Sequence, residues 1–142
     1  MFVFSKGKPK TFNALREPKK ESAIGSDSST SGYRQPDGTI LRKTVDRSSS
    51  DKERTNVWTY NTGRNHSTKW DRAFEHPATF PEQLVEDHIR TWSEEGDRVL
   101  DPMCGSGTTL DVALRLGSEA VGCEASEDYA SLAIERMQER HG

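Results

Sequence analysis

One stretch, LDPMCGSGTTLDVA from Leu100 to Ala113, constrains this chain more than any other. A short apolar run closes on an acid, passes through a glycine-rich turn and enters a pattern that starts a helix at Thr108 or Thr109 and runs to Leu116, with Gly117 as its stop. A strand that feeds a helix through a tight turn needs a parallel neighbour, and EAVGCE, Glu119 to Glu124, reads as that second, buried strand. Ser126 then caps a last helix that carries Tyr129, Leu132, Ala133, Arg136 and Met137. Upstream, FPEQLVEDHIRTWS places Leu84, His88, Ile89 and Trp92 on one helical face, with Pro81 suited to the first turn. The order over residues 76–142 is helix, strand, helix, strand, helix. That order predicts an α/β arrangement with right-handed crossovers and a ligand at the carboxyl ends of its strands.

Glycines at that point let a ligand approach the backbone, and amides at the following helix start face it. Three ligand classes compete. A phosphate-binding loop needs a Lys before the Ser/Thr of the helix start, and Thr108 follows Gly107 directly, which argues against a nucleoside triphosphate. A dinucleotide fingerprint wants a third small residue where Leu110 stands. What is left is a GxG turn flanked by two strand-end acids, Asp101 and Glu124. A carboxylate in the second position can accept hydrogen bonds from both hydroxyls of a ribose, so the pair favours an adenosine ligand over a mere N-cap or solvated strand end.

The first 75 residues read differently. Glu21–Ser31 and Arg47–Thr55 are rich in Ser, Asp and Lys without an apolar period, so a mobile loop is expected, interrupted by one hairpin at QPDGTI. FVF at the start and NVWTY at Asn56–Tyr60 look like short strands, and GRNHSTKWDR like a polar loop. Charge divides the same way. Residues 1–20 hold six Lys/Arg against one acid (+5), 21–75 nine against eight (+1), and 76–142 five against fourteen (−9). The basic opening, with Lys6, Lys8 and Lys10, can contact phosphates or form a solvated face. At 142 residues, 31% hydrophobic and 30% charged, the chain has material for one domain at most. No run has the length of a membrane span and the opening is too short for a signal peptide, so a cytoplasmic protein is expected. Cys104 and Cys123 lack zinc-site spacing and are expected to be reduced packing residues, with no metal bound.

Together, HPATFPEQL, GDRVLDPMCGSGTT and AVGCEASEDYASLAIERM, in that order and close together, resemble the S-adenosylmethionine half of the DNA amino-methyltransferases that modify adenine N6 or cytosine N4. FVFSKGKPKTFN and NVWTY resemble segments upstream of that half, in the subgroup whose catalytic part comes first. The resemblance implies an incomplete Rossmann-like methyltransferase sheet with a loop-rich N-terminal segment. It implies two regions: 1–75, part of a DNA-recognition region, and 76–142, the cofactor region. Carried over by position, Asp101, Pro102, Gly105, Ser106, Gly107 and Thr108 bind the methionine end of S-adenosylmethionine, Glu124 the ribose, and Thr79 and Phe80 line the methionine side. Phe80 is equally readable as a core anchor. His76 opens the same motif and is assigned no chemical role, and Trp58, Trp70 and Trp92 are read as core residues.

One element of the family pattern is missing. Its catalytic motif is Asp, Asn or Ser, two prolines and an aromatic, and the six prolines of these 142 residues are all isolated. No catalytic residue is therefore assigned. The resemblance places that motif upstream, so Met1 is expected to correspond to an internal position of a longer relative, in a truncated chain or one part of a split enzyme. The expected partners are double-stranded DNA and a second chain carrying the catalytic half. An inactive remnant and a small DNA-binding or interaction module are the alternatives.

Overall fold

The computed structural model describes residues 4–21, 24, 29–45, 49–63 and 66–142. By contact the chain forms two compact units, Met1–Asn13 with Trp58–Gly142, and Ala14–Val57. The opening residues join the first unit through specific bonds. The Asn13 N–H donates to the Thr91 carbonyl at 2.8 Å, and the Lys10 ammonium pairs with Asp97 at 2.9 Å. The strand expected through FVF falls largely on residues outside the described ones.

Ala14–Val57 is built from two antiparallel pairs. β1 (Arg16–Pro18) pairs with β4 (Asp51–Glu53), and β2 (Ser29–Arg34) with β3 (Ile40–Val45). The expected hairpin turn is present. The Gln35 N–H donates to Thr39 at 2.8 Å, and the Asp37 carboxylate accepts from the Thr39 N–H and hydroxyl. Strands nevertheless occupy parts of both segments expected to be loop. The reason is that β1 and β4 are held by polar contacts: Arg16 reaches both Asp51 oxygens, Lys52 pairs with Glu17, and the Lys19 ammonium donates to Ser49. Such a pair leaves no apolar alternation in the sequence.

The other unit follows the expected order: α1 (Glu82–Trp92), β5 (Arg98–Asp101), α2 (Thr108–Arg115), β6 (Glu119–Gly122) and α3 (Glu127–His141). β5 and β6 are parallel, with Val99 opposite Ala120 and Leu100 opposite Val121. Val99 and Ala120 pack on a cluster of Val85 and Ile89 from α1 with Val112 and Ala113 from α2. The opposite face is bare: Leu100 is 63% and Val121 43% exposed. β6 is therefore neither buried nor as long as expected, because one face only is covered. α1 buries Val85 and Ile89, while Leu84, His88 and Trp92 line an open groove beside it. The Tyr129 N–H donates to Ser126, the expected cap.

Two further expectations fail for one reason. NVWTY is not a strand; its aromatics dock on α1, Trp58 against His88 at 5.0 Å and the Tyr60 hydroxyl donating to Asp87 at 2.8 Å. Within GRNHSTKWDR, Ser67, Thr68 and Trp70 are buried rather than solvated, and a 3-10 turn, Asp71–Glu75, follows. Trp70, Ala73 and Leu132 form a second core cluster.

Candidate cofactor site

Asp101 closes β5 and its Oδ1 accepts the Met103 N–H at 3.0 Å, so the acid folds the first bend of the glycine turn. The turn is stitched to the chain beyond β6. Cys123 donates its N–H to the Asp101 carbonyl and Cys104 its own to the Cys123 carbonyl, both at 2.9 Å. Gly107 is the N-cap of α2 with φ +76°, and a Cβ there would stand 3.1 Å from the Ala133 methyl. Gly105 has φ +51°, and a Cβ there would meet the His76 imidazole at 3.0 Å. Both glycines thus answer to a positive φ and to a close neighbour.

Glu124 faces this turn. Its Oε2 accepts the Gly105 N–H at 2.8 Å, and Oε1 accepts the Ala125 and Ser126 N–H groups at 3.0 Å. The backbone donors of Ser126, Gly105 and Ala125, with the nearby His76, hold the carboxyl below the usual carboxylate range. An ionised carboxylate offers about four acceptor positions, so three internal bonds leave it able to accept from a ligand hydroxyl.

His76 lies against the turn, its ring edge to face with Tyr129 at 4.4 Å. Its Nδ1 accepts the Ala78 N–H at 3.1 Å, which fixes the bend that carries Thr79 and Phe80 toward α1. Phe80, Leu100 and Thr109 line the same groove of about 950 Å³, which also takes in Leu84, His88 and Trp92. The structure therefore brings the HPATFP segment, the end of β5 and the start of α2 together. Phe80 is 39% exposed, so it is a wall of this groove rather than a buried anchor.

Ser106 and Thr108 are buried and turned inward. Arg136 of α3 donates through Nη1 to the Thr108 hydroxyl at 3.0 Å and to the Ser106 carbonyl at 3.4 Å. Its Nη2 reaches Thr68, Glu82 and Asp111. Arg136 and Asp111 are 0% exposed. Burial holds the guanidinium below its ordinary value, an effect that Asp111 and Glu82 offset only in part. Arg140 and His141 also reach Asp111. This node supports the turn from behind and went unassigned in the sequence. A signal was present: Arg136 stands on the same helical face as Leu132 and Ala133, and Asp111 lies beside Val112 and Ala113.

Of the remaining expected residues, Pro102 is exposed beside Met103. Lys6 and Lys8 are exposed, while Lys10 is paired with Asp97. Both cysteines are free thiols. Cys123 is exposed, so only Cys104, half-buried with its thiol pushed up by burial, serves packing. Among the described residues no group of three or more His, Cys, Asp or Glu is placed to hold a metal ion.

The family model described as DNA methylase, N6_N4_Mtase, matches residues 1–135. Orphan methyltransferase M.BamHII of Bacillus amyloliquefaciens is 43% identical over 141 residues, 97% of this chain and 52% of that protein. Type II methyltransferase M2.DpnII of Streptococcus pneumoniae is 40% identical over 87 residues, 61% of this chain and 31% of its own. Among solved structures, M1.HpyAVI in complex with SAM aligns over 61% of this chain and 47% of its own at 26% identity, with a TM-score of 0.44. The chain spans about half the length of M.BamHII, the curated relative that it matches over almost its whole extent. With a family match covering nearly all of its residues, the chain belongs to the N6/N4 DNA methylase family.

Proposed function

We propose that this chain carries the S-adenosylmethionine-binding region of a site-specific DNA methyltransferase that acts on the exocyclic amino group of adenine or cytosine, in the manner of restriction–modification methylases. The observation that carries the reading is the Asp101–Gly105–Glu124 arrangement, a glycine turn braced by one strand-end acid and closed by the other. The α/β part then corresponds to a portion of a Rossmann-like sheet. Glu124 accepts from the ribose, the backbone at Pro102, Gly105, Ser106 and Gly107 surrounds the methionyl end, and Thr79 and Phe80 wall its far side. Thr108 contributes its backbone, since its hydroxyl is engaged by Arg136.

The bound cofactor supplies an electrophilic methyl group on a sulfonium. The target base leaves the duplex stack at a cost of a few kcal/mol, roughly. Rate then depends on alignment of the amino nitrogen with the methyl donor, worth on the order of 7 kcal/mol or more. These residues hold one side of that alignment. The Pro-Pro-aromatic element that grips the base is not among the 142 residues and is supplied by another segment or a second chain. The bare face of Leu100 and Val121 offers that element a seat. Lys6 and Lys8 add phosphate contacts on duplex DNA.

Calorimetry tests the cofactor assignment. The folded chain binds S-adenosylmethionine, and Asp101→Ala and Glu124→Ala each weaken binding about tenfold through lost hydrogen bonds. Equal binding by the wild type and both variants, or none by any of them, overturns it. Tritiated-methyl transfer to duplex DNA then requires a polypeptide bearing the missing motif, and robust labelling by these residues alone contradicts the proposed division of labour.

A further inference from the structure

Most described arginines in this molecule are spoken for. Arg16, Arg72, Arg90, Arg98, Arg115, Arg136 and Arg140 each have a carboxylate partner. Arg34 and Arg42 have no ion-pair partner among the described residues. Both stand on the β2–β3 hairpin, a two-stranded ribbon in which Gly32 lies opposite Arg42 and Arg34 opposite Ile40. Side chains alternate along each strand, so Gly32, Arg34, Ile40 and Arg42 share one face. The space above Gly32 confirms that register, because a Cβ there would meet the Ile40 methyl at 2.9 Å and the Arg42 stem at 3.9 Å. Gly32, Tyr33, Arg34, Ile40, Leu41 and Arg42 are all exposed. The one acid of the hairpin, Asp37, is occupied by its own turn.

An exposed two-stranded ribbon has the cross-section that the major groove of B-DNA admits, a groove about 12 Å wide. Arg34 and Arg42 occupy a diagonal position across the ribbon, about 7–8 Å apart at the backbone, which is close to two base-pair steps. Arginine is the residue that reads guanine there, donating two bonds to O6 and N7. Ile40 between them offers an apolar contact of the kind that a thymine methyl accepts. Gly32 keeps the ribbon face low, so its backbone can approach the base edges. We propose that the β2–β3 hairpin is a base-reading element that enters the major groove of duplex DNA with Arg34 and Arg42 as its specificity-determining contacts. This rests on the DNA-directed reading above, and makes a claim about Ala14–Val57 that the cofactor site does not.

The test uses the full chain and a pool of 20-base-pair duplexes randomised at the centre, from which tight binders are selected. A second preparation of each selected duplex carries 7-deazaguanine, which removes only the N7 acceptor in the major groove. Wild-type affinity falls about tenfold on that change, the scale of one bidentate guanine contact, and Arg34→Ala and Arg42→Ala become insensitive to it at their own base pairs. Lys8→Ala weakens all duplexes alike. S-adenosylmethionine binding measured on the same hairpin variants stays at the wild-type level, which separates failure of this inference from failure of the cofactor assignment. Unchanged DNA selectivity in both arginine variants overturns the inference, as does wild-type binding without any base preference. A shift from dimer to monomer in the variants, with DNA binding intact, assigns the hairpin to self-association instead and equally overturns it.

Discussion

Two arginines, one from each unit, show how differently the halves of this molecule are held together. Arg136 is fully buried, bonded to Glu82 and Asp111, to a hydroxyl and a carbonyl of the glycine turn, and covered by the Trp70 ring at 5.3 Å. Arg16 grips Asp51 with comparable geometry, but both side chains are about half exposed. The same pair of charged groups therefore does different work. In the first case desolvation makes every partner obligatory, and the network fixes α1, α2, α3 and the turn in one arrangement. In the second, water competes for both ions, and the pair does little beyond choosing a register.

The sharpest way to break this comparison is to remove each guanidinium. Arg136→Met leaves Asp111 and Glu82 buried with an incomplete set of donors and costs about 3–5 kcal/mol, enough to unfold the unit that holds the cofactor turn. Arg16→Met leaves that unit untouched. Tryptophan fluorescence during urea unfolding reads the difference cleanly, because Trp58, Trp70 and Trp92 all lie in the first unit and none in Ala14–Val57. Should Arg136→Met unfold at the wild-type midpoint, the node is a passive ion pair that does not hold the turn. A smaller effect sharpens the same contrast in apolar terms. Val112 is 0% exposed at the centre of the α1–α2 cluster, and Val112→Ala costs about 2 kcal/mol from lost transfer energy and the cavity left behind. Leu41→Ala, on the exposed ribbon, stays within about 0.5 kcal/mol. Equal losses at the two positions, measured by amide exchange in β3 and α2, show that the hairpin is packed against something.

The same division explains what could be read from the sequence. α1, β5, α2, β6 and α3 announced themselves because apolar spacing, Pro81, Gly117 and Ser126 all agreed on where each element lies. The glycine turn was legible for a related reason: Asp101, Gly105, Gly107 and Glu124 are answers to local backbone geometry, and local demands leave local marks. β1 and β4 left none, since a three-residue strand held by Arg16 and Asp51 carries no apolar alternation. NVWTY carried alternation for another purpose, docking Trp58 and Tyr60 on α1. Arg136 was hidden by its type, because a charged residue on a helix face reads as solvated until Asp111, Glu82 and Thr68 arrive from distant parts of the chain.

The smallest expected effect is a pH dependence confined to one unit. All four histidines, His66, His76, His88 and His141, lie outside Ala14–Val57. The His88 imidazole, packed beside Trp58, is pushed below its ordinary value of 6.5 by burial, with Asp87 pulling weakly the other way. Above that value the ring is neutral in folded and unfolded chains alike and contributes no slope. As the pH falls through about 6.5 the unfolded chain takes up a proton that the folded chain resists, so stability is lost on acidification until the folded ring also protonates. Ala14–Val57 contains no histidine. Unfolding followed between about pH 8 and 5.5 should thus show a decline in tryptophan-reported stability that His88→Gln flattens. Exchange protection in β2 and β3 should stay level across the same range. A slope that survives His88→Gln, or that rises on acidification, means another ionisation governs the unit. His141, 2.8 Å from the buried Asp111, is then the group to replace next.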